Sequence, residues 1–210
     1  MNVDCGGGKK PSFAINDLGA AQCDVPEFNQ TRPNANVIMF RDDSFSRPED
    51  NIPFDAIALT TLSYNPETGE LFGADIELNA ANWNFVTGPL RAGNDVDLQA
   101  VLTHETGHFL GLSHGSPQDV TMYWRYLPTA ERRILKQDDK DGICAVFPPG
   151  QAVNENQCAP FNGYSPECQP DTPLDEDEGC AIASGAPRGS GFAAFAAALG
   201  FFALLRRRRR

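Results

Sequence analysis

Histidine is scarce in this chain: there are 3 among 210 residues, and all of them fall within positions 104–114. Basic residues are also few, 17 against 28 acidic ones, and the formal net charge is -11. Part of the basic total is the terminal run Arg206–Arg210, so the rest of the chain is more acidic still. Proteins that bind nucleic acid carry basic faces. We therefore expect no nucleic-acid partner.

The 6 cysteines lack the paired CxxC spacing of a cysteine zinc site. Disulfides formed in an oxidising compartment are the preferred interpretation, with reduced cytosolic thiols as the alternative. Cys158 and Cys168 close a short loop and are the favoured pair, and Cys5 with Cys23 is a second candidate pair. The cysteines whose partners the sequence leaves open are Cys144 and Cys180.

Turn residues and apolar runs divide the chain into a few elements. Apolar or β-branched runs predict strands at 36–41, 56–64 and 70–78. The last two strands are expected to form a hairpin. One apolar side over 97–110 predicts the clearest helix, which ends at Gly111. A second helix is predicted over 129–143, with Thr129 as its N-cap. Loops are predicted at 44–54 and 79–95.

The segment HETGHFLGLSH, residues 104–114, carries the strongest chemical signal. His104 and His108 are four residues apart on the predicted helix, so both imidazoles lie on one face and can reach one metal ion. After Gly111 the chain can turn back and bring His114 as a third nitrogen ligand. Three protein ligands leave one position open for water, which is the arrangement of catalytic zinc. The alternative is a helix with ordinary core histidines.

Glu105 lies between the first two histidines, where it can bond a zinc-bound water without ligating the metal. Zinc lowers the pKa of such a water to about 7. Glu105 would accept the water's proton during attack on a peptide carbonyl and pass it to the leaving amine. The sequence therefore predicts a zinc-dependent endopeptidase that acts on polypeptide substrates.

HExxHxxGxxH is the ligand motif of the metzincin metallopeptidases, and its Leu-Ser-His ending resembles the matrixins among them. The resemblance implies an α+β fold: a mixed twisted sheet, an active-site helix and a C-terminal helix. It also implies that Met122 forms the methionine turn below the metal. The stretch 135–143 resembles the matrixin C-terminal helix, where Asp138 and Asp139 would tie the helix to that turn and to the start of the domain.

The same resemblance implies how substrate binds. Residues 56–64 would be an antiparallel edge strand beside the cleft, and the substrate would add to it as a further strand. Tyr126 matches a wall residue of the matrixin specificity pocket. Trp124 stands where matrixins usually have proline, which leaves the preferred residue after the cleaved bond open.

One departure from the matrixin pattern concerns metals. Animal matrixins bind a second, structural zinc, but Thr61 and Asp75 stand at positions where those enzymes have histidines. We therefore expect one catalytic zinc per chain. Calcium is a further candidate cofactor, with solvated strand-end acids as the alternative reading of the same residues. The candidate calcium ligands are Asp42, Asp43, Asp75 and Glu77.

Residues 1–35 are too rich in Gly, Pro and Asn to supply the strand and long helix with which matrixins begin. No secretory signal or inhibitory propeptide is recognisable there either. We expect an N-terminally truncated chain, whose signal peptide was lost with the missing part. The expected location is then secreted or cell-surface, in agreement with disulfides.

The apolar stretch 192–205 is followed at once by arginines. Fourteen helical residues cover about 21 Å, which is short of a bilayer core of about 30 Å. The tail resembles the sorting tails of myxobacterial surface proteins, in which Cys180 would be the processed residue. A simple membrane anchor and an amphipathic core helix are the alternatives. Membrane contact is expected only through this tail, before processing.

These predictions divide the chain into four parts, and the protein is expected to be a monomer. Two rival interpretations are a surface binding module on an inactive peptidase fold and a fragment that does not fold. The predicted parts are an irregular N-terminal segment (1–35), a matrixin-like domain (36–149), a Cys-, Pro- and acid-rich linker (150–179) and a sorting or anchor tail (180–210).

Overall fold

A computed structural model describes residues 3–45, 55–91, 93–127, 130–151 and 160–168. The five strands are β1 (Ile38–Phe40), β2 (Ala58–Tyr64), β3 (Leu71–Leu78), β4 (Asn84–Val86) and β5 (Asp95–Asp97). The two α-helices are α1 (Leu98–Phe109) and α2 (Gln137–Val146), with a 3₁₀ turn at Ala130–Arg133 between them. The predicted α+β fold is confirmed.

Three strands form a mixed sheet in the order β1-β3-β2. β3 runs parallel to β1 and antiparallel to β2, so β2 lies at an edge of this sheet. Alternate residues of β3 face opposite sides of the sheet. Ile76 and Leu78 are fully buried in a cluster with Val96 and Val101, through which α1 packs on the sheet.

The predicted hairpin joins β2 and β3 as expected. Asn65 organises its turn, because the Asn65 side chain accepts hydrogen bonds from the backbone N–H groups of Glu67 (2.8 Å) and Thr68 (3.2 Å). The predicted loop at 79–95 is wrong in part, because it contains β4 and the first residue of β5. β4 and β5 pair there in parallel over three residues each, and both strands are too short to stand out in the sequence.

Helix α1 begins and ends at well-defined caps. The Asp97 carboxylate accepts a hydrogen bond from Ala100 N (3.0 Å) and caps the first turn. At the other end, Leu112 N bonds Gly107 O (2.9 Å) and Gly111 N bonds His108 O (2.8 Å), the bonds of a Schellman motif. Gly111 has φ 85, which explains why glycine ends the helix here.

The second helix begins later than predicted. Residues 130–133 form a 3₁₀ turn, and α2 starts only at Gln137. The Asp139 side chain explains this start, because it accepts a hydrogen bond from Lys136 N (2.8 Å) and caps the helix from within its first turn. The prediction of one helix over 129–143, capped by Thr129, is therefore wrong at its N-terminal end; Thr129 itself lies outside the described residues.

The N-terminal segment covers the face of the sheet opposite α1. Within residues 3–35 the structure contains no helix or strand element, as predicted. Asp75 of β3 accepts hydrogen bonds from Val37 N (2.9 Å) and Glu27 N (3.2 Å) on this side. Beside it, Arg41 forms an ion pair with Glu77 at 2.7 Å. Asp75 thus holds the segment at Glu27, and Arg41 links Glu77 to the segment by donating a hydrogen bond to the Asp24 carbonyl.

Burial raises the pKa of Asp75 from 3.8 to about 7, against the lowering effect of its two backbone hydrogen bonds. The folded state therefore binds this proton more tightly, so the contribution of Asp75 to stability should fall as pH rises from about 4 to 7. Comparing urea unfolding of native protein and Asp75→Asn from pH 5 to 7 should show this. The stability advantage of the native chain should shrink by roughly 2–3 kcal/mol. A difference that is constant with pH would contradict the assignment.

Both predicted disulfide pairings are wrong. Cys5 pairs with Cys144 of α2, and Cys23 pairs with Cys168, across sequence separations of 139 and 145 residues. The predicted pairs are close in sequence and would close short loops. The observed pairs are instead determined by where the N-terminal segment packs in the fold. Its Val3 is buried with Leu110, Ile143 and Phe147, which brings the neighbouring Cys5 to α2. Cys158 and Cys180 lie outside the described residues.

Removing the first disulfide should destabilise the domain markedly. The Cys5→Ser/Cys144→Ser double variant should lose about 2–5 kcal/mol of the free energy of unfolding, because its unfolded chain regains a large loop. Denaturant unfolding measures this, with the unreduced native protein as control. Peptide mapping that joined Cys5 to Cys23, or Cys158 to Cys168, would contradict the pairing.

None of the helices in the described ranges combines the length and the apolar content that a bilayer crossing requires. The predicted tail at 180–210 lies outside these ranges.

Candidate metal centre

The structure brings all three histidines together. His104 and His108 project from successive turns of α1, and the reversal after the helix returns His114 to them. The Nε2 atom of His108 lies 3.1 Å from Nε2 of His104 and 3.1 Å from Nε2 of His114. Nitrogen ligands at the usual zinc distance in a tetrahedral site lie roughly 3.3–3.4 Å apart. The spacing therefore fits one shared ion.

Hydrogen bonds to backbone carbonyls fix the tautomers of two of these rings. His104 Nδ1 is 2.8 Å from Thr121 O, and His108 Nδ1 is 2.8 Å from Leu112 O. A carbonyl only accepts, so each Nδ1 must carry the proton and donate it. The Nε2 lone pairs then face one another with no proton between them, an arrangement that a cation satisfies. Burial also lowers the pKa of His104 and of His114, which favours the neutral, ligating form.

Glu105 lies on the same helix and lines the same cavity as the histidines. It is buried, and its Oε2 accepts a hydrogen bond of 2.6 Å from the Thr60 hydroxyl on β2. Burial raises the pKa of Glu105, while the Thr60 hydrogen bond and the nearby histidines oppose that rise. The Glu105 carboxylate is thus held in a fixed position beside the three nitrogens. The sequence gives no signal for this contact of Thr60 with Glu105, because Thr60 is one of several β-branched residues in a predicted strand.

Met122 is buried against the helix that carries the histidines. A Cβ at position 107 would overlap the Met122 sulfur, so any larger residue in the middle of the motif would displace the Met122 side chain. The Asp139 carboxylate of α2 accepts hydrogen bonds from Thr121 N and Met122 N, both at 3.0 Å. Since Thr121 O in turn accepts from His104, Asp139 indirectly orients this ring. Asp138, predicted to share that task, is exposed.

A cavity of about 710 Å³ opens beside the histidines. β2 lines one side of it and the segment 121–127 lines the other. The Tyr126 hydroxyl accepts a hydrogen bond from Asp97 N at 2.8 Å, which fixes this predicted wall residue. Trp124 also lines the cavity, with 63% of its surface exposed.

Arg132 is a buried wall residue that the sequence did not indicate. Its guanidinium donates to the carbonyls of Val120 and Gln118 and lies 5.5 Å from the centre of the Tyr123 ring. These contacts hold the chain that leads into the segment 121–127. Basic residues in a short polar stretch carry no sequence signal for such a role.

The calcium candidates do not meet. Among the described residues, the groups of three or more potential metal-binding side chains are the histidine triad and Cys23–Glu27–Cys168, whose cysteines form a disulfide. Asp75 instead bonds backbone N–H groups, and Glu77 bonds Arg41. Calcium binding stays a prediction. Processing at Cys180 also stays a prediction, outside the described residues.

A mixed sheet, two helices and this triad are the features of an α+β metzincin catalytic domain. The matrixin family model matches residues 26–148, and the chain belongs to this family. It is 36% identical over 104 residues to metalloendoproteinase 1-MMP of Arabidopsis thaliana, covering 48% of this chain and 27% of that protein. It is also 34% identical over 121 residues to interstitial collagenase of Sus scrofa, covering 56% of this chain and 23% of that protein.

A third relative is metalloendoproteinase 4-MMP of Arabidopsis thaliana, 31% identical over 99 residues, which covers 47% of this chain and 28% of that protein. The chain therefore spans only about a quarter of the length of these relatives. The similarity applies to the domain described above and does not extend to the relatives' remaining parts.

Proposed function

We propose that the protein is a zinc-dependent metalloendopeptidase. The observation that carries this proposal is the convergence of three histidine Nε2 atoms beside a buried carboxylate, in a cavity edged by a β-strand. His104, His108 and His114 would hold the ion. When bound, zinc lowers the pKa of a coordinated water to about 7 and polarises a carbonyl oxygen.

Glu105 supplies the proton transfers. As a fixed carboxylate beside the three nitrogens, it accepts the proton of the attacking water and passes it to the departing amine nitrogen. Thr60 keeps the carboxylate in place from β2. Met122 and Asp139 keep α1 and the His104 ring in place from below.

β2 binds the substrate backbone. Among the described residues it pairs with β3 alone, and it lines the cavity, so an extended peptide can add to its other edge. Main-chain hydrogen bonds of this kind accept most sequences. The side chain after the cleaved bond would enter the cavity between β2 and Tyr126, which gives the enzyme its selectivity.

We further propose that the enzyme acts as a monomer on extracellular proteins. The support is the two disulfides, which persist in oxidising compartments. The proposed layout is an irregular segment at 1–35, the peptidase domain at 36–149, a linker at 150–179 and a surface-sorting tail at 180–210. The family match to 26–148 supports the central part of this layout, and it begins within the proposed N-terminal segment.

Metal analysis paired with proteolysis tests the activity. Purified protein should hold about one zinc per chain and digest denatured casein. A chelator should stop the digestion, and added zinc should restore it. Folded, zinc-loaded protein without proteolysis would instead favour a binding module on an inactive peptidase fold.

A further inference from the structure

Trp124 and Arg125 form a short outward-facing part of the cavity wall, here called the wall pair. Fixed residues hold the chain on both sides of it. On one side, Met122 N bonds Asp139 at 3.0 Å, and on the other, the Tyr126 hydroxyl bonds Asp97 N at 2.8 Å. The wall pair is therefore presented on a rigid support, and both of its residues line the cavity.

Trp124 exposes an apolar surface where substrate passes. At 63% exposure, its indole is among the most exposed large apolar side chains of the described part of the chain. Aromatic side chains of this kind, at a cleft and on a rigid support, are typical anchors for binding. A substrate side chain or backbone that packs on the ring would bury it, with a gain that does not depend on the substrate's charge.

Arg125 differs from the other arginines near the cavity. Arg133 is paired with Asp97 at 2.6 Å, and Arg132 donates to two backbone carbonyls. In the described ranges, the exposed Arg125 guanidinium has neither an ion pair nor a hydrogen bond. A planar guanidinium with free N–H groups matches a carboxylate through two parallel hydrogen bonds.

The charges around the wall pair limit where a substrate carboxylate is attracted. The chain as a whole is acidic, at -11, so a cation at the cleft that lacks a partner among the described residues is an exception to the general field. Asp55, which lines the same cavity and is also exposed, carries the opposite charge. A substrate carboxylate would be attracted near Arg125 and repelled near Asp55. Selection should therefore act at one substrate position rather than along the whole peptide.

We infer that the wall pair selects peptides with an acidic residue close to the cleaved bond: Arg125 binds the carboxylate, and Trp124 packs on the neighbouring chain. This inference rests on the proposed peptidase function and specifies its substrate class. At the edge of a cleft the effective dielectric is lower than in bulk water, which strengthens the attraction between the two charges, while the remaining exposure limits the cost of removing water from them.

The test uses one peptide scaffold in which Gln is replaced by Glu at each of the positions flanking the cleaved bond. For the native enzyme, kcat/KM should rise by about fivefold to tenfold at one position. Arg125→Glu should abolish that preference and instead favour Lys there. Arg32→Glu, at an exposed position outside the cavity, is the matched charge-reversal control and should leave the preference intact.

Trp124→Ala should raise KM for all peptides alike, without changing the ratio between Glu and Gln. Equal kcat/KM for Glu and Gln at every position would overturn the inference, as would equal effects of Arg125→Glu and Arg32→Glu. Binding of the same peptides to zinc-loaded Glu105→Ala, measured by calorimetry, reports on Arg125 without turnover. If the zinc-loaded native protein failed to digest casein, the proposed function would be refuted. The binding comparison would still decide the role of Arg125.

Discussion

Glu105→Ala should keep its zinc and lose peptidase activity by about a hundredfold to ten-thousandfold, the usual contribution of a positioned proton acceptor. The carboxylate is not among the three nitrogens that would hold the ion, so the metal content should stay at the native value. Zinc analysis of dialysed protein and kcat/KM on a quenched-fluorescence peptide measure the two quantities. Retained turnover in a zinc-loaded Glu105→Ala protein would overturn the assigned role.

Two comparisons separate this effect from a general loss of structure. Glu67→Ala removes an exposed carboxylate from the hairpin turn and should leave kcat/KM unchanged. Thr60→Val removes the 2.6 Å hydrogen bond to Glu105 and should lower kcat by about tenfold with little change in KM. Thr60→Ser restores the hydroxyl and should restore kcat. A fall in Thr60→Ser equal to that in Thr60→Val would make the packing of Thr60, rather than its hydroxyl, responsible.

His108→Ala should reduce the zinc content from about one per chain to near zero and abolish proteolysis. His108 is the central member of the triad, since its Nε2 is 3.1 Å from each of the other two. Without it, two imidazoles on separate supports remain, and catalytic zinc sites use three protein ligands. Metal analysis after dialysis against a weak chelator checks the prediction.

The control for His108→Ala is Gln99→Ala, which changes an exposed residue of the same helix away from the triad. It should retain zinc and activity. Circular dichroism of His108→Ala, compared with the metal-free native protein, shows whether the two fold equally. If folded His108→Ala bound zinc as tightly as the native protein, the ion would have to lie elsewhere.

The clustering of the three histidines is predictable from the sequence because its information is local. His104 and His108 need only one helix, and His114 needs only the reversal that Gly111 permits. Likewise, the β2–β3 hairpin follows from a turn whose bonds lie within a few residues of Asn65. Such features depend on short-range geometry, which residue spacing specifies directly.

The sequence does not reveal the features that depend on contacts between distant parts of the chain. The Cys5–Cys144 disulfide depends on the N-terminal segment lying against α2, and no periodicity encodes that position. Thr60 faces Glu105 because of how the edge strand lies across α1, a relation between residues 45 apart in the chain. The start of α2 was also misplaced, because the cap comes from Asp139 inside the helix rather than from a residue in front of it.

The hydrogen bonds from Thr121 and Met122 to Asp139 bear on when the enzyme becomes competent during synthesis. The His104 ring takes its orientation from Thr121, and Thr121 is held by a carboxylate that leaves the ribosome later than every zinc ligand. A nascent chain that ends before α2 therefore has all three imidazoles but lacks the group that aligns the first of them. The proposed hydrolytic activity would then arise only once α2 has been synthesised and has packed against Thr121.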